Sequence, residues 1–300
     1  MAQRIGIAAL AVACAAMALS GCVSSAPAAK GKSEGGKKAI LVVSFGTSYE
    51  DALSANIEAT EKKIAAAYPE YEVRRAFTSK IIIKVLAKRG VKIDDVPAAL
   101  ERLRSEGFSR IVVQPLHLIP GEEFHELLTE LAPFRASFAE VAVGVPLLYD
   151  AESYFRLAKV LAPTLPKTAP DEAVVFMGHG TSHPANSAYP AIQRVFDDLD
   201  MPVYVGTVEG YPTLDGVQRL LERDGIRKVT LLPLMLVAGD HANNDMAGDD
   251  PDSWKSVLTE KGYSVTCVIR GLGELPAVQD LYVKNVGAAI DSLDRPAAEK

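Results

Sequence analysis

The sequence predicts an α/β protein of two homologous lobes, each a mostly parallel sheet flanked by helices. Short β-branched apolar runs alternate with longer stretches of helical period, and the whole pattern occurs twice with matching residues. Composition agrees: of 300 residues, 48% are hydrophobic and 23% charged, enough to build one large or two ordinary domains and too apolar for disorder.

Residues 1–28 read as an export signal. Arg4 is their only charge, and the run IGIAALAVACAAMAL is about as long as a signal core and short for a membrane span. Two processing sites fit: LSGC, a lipoprotein-like box that would acylate Cys22, and Ala26-Pro27-Ala28, suited to ordinary signal peptidase. Residues 29–36 continue as a flexible leader. The expectation is a periplasmic protein, lipid-anchored on the first of these readings.

Lys and Arg total 32 against 38 Asp and Glu, a net charge of −6 that loses one more cation with the signal. Such a chain has no general attraction for nucleic-acid phosphate. Cys14, Cys22 and Cys267 are too few and too scattered for a disulfide framework or a Cys-rich metal site. Cys267, inside YSVTCVI, is expected as a buried strand residue.

Strands are expected in AILVVS from Ala39, YEVRRA from Tyr71, RIVVQP from Arg110 and VAVGVP from Val141. The second set is AVVFMG from Ala173, VYVGTV from Val203, KVTLLPL from Lys228 and SVTCVI from Ser264. Leu53, Ile57 and Ile64 mark one helix; Val96, Leu100 and Leu103 mark another that stops at Gly107. The repeat is legible residue by residue. AILVVSFGTS aligns with AVVFMGHGTS, so Phe45 falls opposite His179, and EGFSRIVVQPLHLIPGEE aligns with DGIRKVTLLPLMLVAGDH, so Glu123 falls opposite His241. Between them Ser79 meets Glu209. The halves are residues 37–148 and 171–300, joined by a linker and crossover helix over 149–170.

Open parallel sheets bind ligands beyond the carboxyl ends of their strands. His179, Glu209 and His241 each follow a second-half strand at that edge. Two imidazoles and a carboxylate suit a divalent ion such as Co²⁺, Fe²⁺, Ni²⁺ or Zn²⁺ and leave coordination positions open. Either imidazole can also serve as a general base. Of the first-half counterparts, only Glu123 can do similar chemistry. Asp240, Asp245, Asp249 and Asp250 make the loop around His241 acidic, either to gather cations or as a solvated turn.

Val73–Ile93 carries Arg74, Arg75, Lys80, Lys84, Lys88, Arg89 and Lys92 without one acid. Arg74, Arg75 and Lys80 are expected at or just past a strand end, facing an anionic ligand. His117 is expected to pack, and His183 to start a helix lining the cleft. The Gly-Thr-Ser turns at Gly46 and Gly180 lack the lysine or glycine pattern of a nucleotide-phosphate loop.

Six motifs then resemble one family, the anaerobic-type sirohydrochlorin cobalt chelatases, class II chelatases related to ferrochelatase. They are LVVSFGTSY from Leu41, RAFTS from Arg75, GEEF from Gly121, VVFMGHGTSH from Val174, VEGYP from Val208 and PLMLVAGDHANNDM from Pro233. The resemblance implies two α/β lobes with a tetrapyrrole in the cleft between them. It implies metal held by His179, Glu209 and His241, with the histidines assisting pyrrole deprotonation and Glu123 a proton-accepting partner across the cleft. Ser44, Phe45 and Gly46 join Arg74, Arg75 and Lys80 as candidate substrate-binding residues for a polycarboxylate ring. Co²⁺ is the implied metal substrate, with Fe²⁺ also suited to the donors; a homo-oligomer is left open.

Chelatases of this family work in the cytoplasm, so export suggests an alternative, a periplasmic carrier of metal or haem on the same scaffold. His125, outside the family motifs, is the candidate axial ligand for haem b.

Overall fold

A computed structural model of the chain describes residues 36–295. The export segment, Cys22 and the leader up to residue 35 lie outside the described residues. Each predicted apolar run forms a strand: β1 (Lys37–Ser44), β2 (Glu72–Phe77), β3 (Phe108–Pro115) and β4 (Glu140–Val143), then β5 (Glu172–Gly178), β6 (Val203–Thr207), β7 (Lys228–Pro233) and β8 (Ser264–Cys267). All pair in parallel, in two sheets of the same order, β2-β1-β3-β4 and β6-β5-β7-β8. A duplicated sequence has folded into a duplicated topology.

Parallel neighbours need crossovers, and helices supply most of them. The helix predicted on Leu53, Ile57 and Ile64 is one run in three parts, α1 (Glu50–Ala52), a π-helical turn Leu53–Glu58 and α2 (Ala59–Ala67). The buried Asn56 donates its amide to the Ala52 carbonyl there, and Thr60 donates to the Asn56 carbonyl, so side chains share the backbone acceptors of the widened turn. The others are α3 (Lys80–Lys88), α4 (Val96–Ser105), α5 (Glu122–Leu131), α6 (Ala151–Leu161), α7 (Ala188–Asp198), α8 (Leu214–Arg223), α9 (Trp254–Glu260) and α10 (Pro276–Asp294). Ser79, Asp95, Asp150, Thr213 and Ser253 each accept a first-turn N–H, at starts where a cap typically contributes about 1 kcal/mol.

Alternation along the strands sorts the core into layers. Ala39, Leu41 and Val43 face outward with α4 and α5; Ala173, Val175 and Met177 do the same in the second half. Ile40, Val42, Val174 and Phe176 face one continuous core that also takes in residues of α6, α7 and α10. The sheets follow the sequence halves, but the last helix does not. α10 lies over α2, β3 and β4 of the first half. It is fixed there by Tyr68, whose hydroxyl donates to the Val283 carbonyl, and by Asn285, whose amide donates to the Val145 carbonyl.

Cys267 sits in β8, half-buried, where burial raises its thiol. His117, just past β3, is fully packed as expected, and neither ring nitrogen has a partner among the described residues. Burial alone pushes its pKa down to about 4. Its ring therefore stays neutral in the native state while the unfolded chain takes up a proton below its ordinary value of 6.5. Stability should fall as the pH drops from 6.5 to about 4, by about 3 kcal/mol in all. His117→Met, the residue of the duplicate position Met235, should remove that slope. Urea melts of both proteins across this range check it.

Candidate metal centre

The second half brings three potential ligands together because backbone approaches backbone at the carboxyl ends of its strands. Gly180 has φ +81°, and a Cβ there would lie 2.8 Å from both the Gly210 nitrogen and Thr207 Cβ. Only glycine lets the loop after β5 pass so close to the loop after β6. The Glu209 N–H consequently donates to the His179 carbonyl at 2.8 Å. His179 Nδ1 and a Glu209 carboxylate oxygen come to 4.0 Å.

His241 arrives from the loop after β7. It caps a π-helical turn, Ala242–Met246, and its ring meets that of His179 edge-on with centroids 4.6 Å apart. One ligand atom from each of His179, Glu209 and His241 lies within 4.8 Å of the others, the single such group of three or more among the described residues. The side chains are 44%, 61% and 30% exposed, so the group is open on one side.

Both imidazoles have their Nδ1 occupied. His179 Nδ1 donates to the Gly180 carbonyl at 2.8 Å, and His241 Nδ1 donates to the Asp245 carboxylate at 2.5 Å. A carbonyl or carboxylate can only accept, so each neutral ring keeps its lone pair on Nε2, where a divalent ion can take it.

Glu123, in the first turn of α5, reaches the same place from the first half. Burial raises its carboxyl above the usual range, nearby His179 opposes that, and Glu126 and Glu122 add to it. Its neighbour His125 donates Nδ1 to the Gly121 carbonyl at 2.9 Å and packs against His183, centroids 4.9 Å apart. His183 caps a short 3₁₀ turn, Pro184–Ser187, its Nδ1 accepting the Ala185 N–H. It thus starts a helical segment at the cleft, as its sequence position suggests.

The residues proposed to meet the ring's carboxylates divide: some are engaged within the protein, others remain at the edge. Arg74 and Arg75 lie within β2, opposite Leu41 and Val42, rather than at its end. Arg74 is held by Glu72 and Glu106, and Arg75 by Glu61 and Glu58, so neither guanidinium faces an open ligand. Ser44 is the buried last residue of β1, on the same face of the strand as Val42. Phe45 is 47% exposed at the edge, and Gly46, φ +93°, lets the turn close over the Phe77 ring. Lys80 opens α3, exposed at the same edge. The acidic loop is largely spoken for: Asp240 accepts from Tyr49 and Asn244, Asp245 from His241, and Asp249 pairs with Lys255.

Two residues gain a particular role from the structure, one at the centre and one at a cavity whose lining includes none of the three ligands. Asp245 is one, and its four-residue spacing from His241 in GDHANND was the available signal. Arg89 is the other: it donates to the Ser48 carbonyl at 2.5 Å, has no acidic partner among the described residues, and walls a cavity of about 750 Å³ with Tyr49, Asn243 and Ile269.

Comparison with known proteins agrees with this architecture. Residues 38–291 match the family model described as cobalt chelatase (CbiK). The chain is 42% identical over 263 residues to the sirohydrochlorin cobaltochelatase of Salmonella typhimurium, 87% of this chain and all of that one. It is 39% identical over 261 residues to the sirohydrochlorin cobaltochelatase CbiKC of Nitratidesulfovibrio vulgaris, 86% of this chain and 92% of that one. SirB from Bacillus subtilis, solved with Fe³⁺, shares the fold at a TM-score of 0.59 and 18% identity, covering 86% of this chain and 98% of that one. With two duplicated parallel sheets and a match spanning nearly all of the described residues, the chain belongs to the CbiK cobalt chelatase family.

Proposed function

We propose that this protein inserts Co²⁺ into sirohydrochlorin, with His179, Glu209 and His241 holding the metal substrate before transfer. The observation that carries the reading is the convergence of those three side chains, their ligand atoms within 4.8 Å of one another, at an open strand edge facing the first half. The curated relatives, both sirohydrochlorin cobaltochelatases, support the substrate.

Insertion of a divalent ion requires two pyrrole N–H protons to leave as the ring nitrogens take the metal. An open set of two imidazoles and a carboxylate grips a borderline ion without enclosing it, so the ring can approach from the exposed side. As the ion departs, the freed Nε2 atoms become proton acceptors, and Glu123 lies across the cleft as a second acceptor. Exposed Phe45, Tyr49 and Tyr211 offer apolar surface to the macrocycle. With Arg74 and Arg75 engaged elsewhere, exposed Lys80 at the head of α3 is a cation that can meet its carboxylates.

The same donors suit Fe²⁺, and intrinsic affinity would favour Ni²⁺ over Co²⁺. Metal preference therefore has to be measured. Purified protein with sirohydrochlorin and Co²⁺ should show catalysed change in the tetrapyrrole absorption, in parallel with Fe²⁺ and Ni²⁺ trials. Tight metal or haem binding with no catalysed insertion would overturn the reading in favour of a carrier. No contact singles out His125 as a haem ligand, since its ring packs on His183. Export to the periplasm is part of the proposal, supported by the single charge and apolar core of residues 1–28.

A further inference from the structure

The turn that carries His241 is clamped by three successive side-chain bonds of the same spacing. Asn243 donates to the Gly239 carbonyl at 2.7 Å, Asn244 donates to Asp240 at 2.9 Å, and His241 donates to Asp245 at 2.5 Å. Each joins residue i to residue i+4 across the π-helical coil of Ala242–Met246. Tyr49, from the first half, adds a bond to Asp240 at 3.3 Å. The backbone position, ring rotation and tautomer of His241 are all fixed by its own loop.

His179 has a weaker version of this support. Its Nδ1 partner is the neutral carbonyl of Gly180, the very next residue. A hydrogen bond to a carboxylate is roughly twice as strong as one between neutral groups, and a carboxylate behind an imidazole strengthens the ring as a metal donor. The two imidazoles of the centre are therefore unequal. The first half offers no equivalent, because Leu127 occupies the place that Asp245 takes in the repeat.

We propose that Asp245 is a positioning residue that makes His241 the anchoring ligand for the incoming divalent ion, with His179 the looser of the pair. The proposal rests on the chelatase reading above and deepens it by adding a residue that does not itself touch the metal.

The test uses the protein and Co²⁺ alone, following the d–d absorption of the bound ion. Asp245→Ala removes the partner, and Asp245→Asn keeps an acceptor of the same shape without the charge. Co²⁺ binding should weaken by about tenfold to a hundredfold in Asp245→Ala, with Asp245→Asn between it and the parent. In turnover, KM for Co²⁺ should rise in step while KM for the tetrapyrrole stays put, a split that general loosening of the loop would not produce. Should Asp245→Ala fold poorly, the near-isosteric Asp245→Asn alone decides the matter. His241→Ala separates the two levels of the argument. If His241→Ala loses Co²⁺ while both Asp245 variants bind like the parent, the inference is overturned and the site reading stands. If His241→Ala itself binds Co²⁺ normally, the site reading falls and the inference with it.

Discussion

His179→Ala and His241→Ala should each lower cobalt insertion by at least about a hundredfold, because losing a direct ligand exceeds the tenfold to hundredfold typical of losing a ligand's hydrogen-bond partner. Neither change should disturb the fold. Both rings stand at an open edge, 44% and 30% exposed, so truncation leaves the core intact; the cost is about 0.5 kcal/mol or less for His179 and about 1.5–3 kcal/mol for His241, whose bond to Asp245 is lost. Glu209→Gln should weaken insertion less, since one of three donors is exchanged for a poorer one rather than removed. The measurements are initial rates with sirohydrochlorin and Co²⁺ beside thermal melts of each variant. Full activity in either alanine variant would remove the trio from the mechanism.

The second large effect concerns stability. Tyr282 is fully buried on α10, and its hydroxyl donates to the Leu116 carbonyl at 2.9 Å. Burial pushes that hydroxyl far above its ordinary pKa, so it stays a donor throughout the working range. Tyr282→Ala should cost about 3–5 kcal/mol, the usual range for truncating a large buried aromatic. Tyr282→Phe should cost about 1 kcal/mol for the lost bond. Urea denaturation gives both values. A cost under about 1 kcal/mol for the alanine variant would mean that α10 is not held against β3 in the way described.

Periodicity made the eight strands readable, and self-similarity made the ligands readable. His179, Glu209 and His241 stood out because the same three positions in the first half hold Phe45, Ser79 and Glu123. What escaped is which neighbours each side chain meets once the chain is folded. The Arg74–Lys92 run shows its sign, but not its partners: Arg74 is paired by Glu72 in its own strand and by Glu106 before β3, and Arg75 by Glu61 of α2 and Glu58 of the turn before it. Ser44 belongs to a conspicuous motif, yet it is buried, on the same face of the strand as Val42. Asp245 looked like one acid among four; its four-residue spacing from His241 was the available signal, and the structure singles it out by the bond between them. The π-helical turn at Leu53–Glu58 likewise leaves no mark on a period of 3.6.

The placement of α10 governs the order in which this chain can be completed. Among the described residues the 19-residue α10 is the last regular element, so the amino-terminal sheet, already partly covered by α2 and α6, receives the rest of its cover from a segment that follows the whole second sheet. If the leading portion folds first, as is usual, that half stays one helix short until α10 joins it. A nascent or truncated polypeptide lacking that helix would present Ile40, Val42 and Val112 without their full cover, a surface suited to chaperone capture.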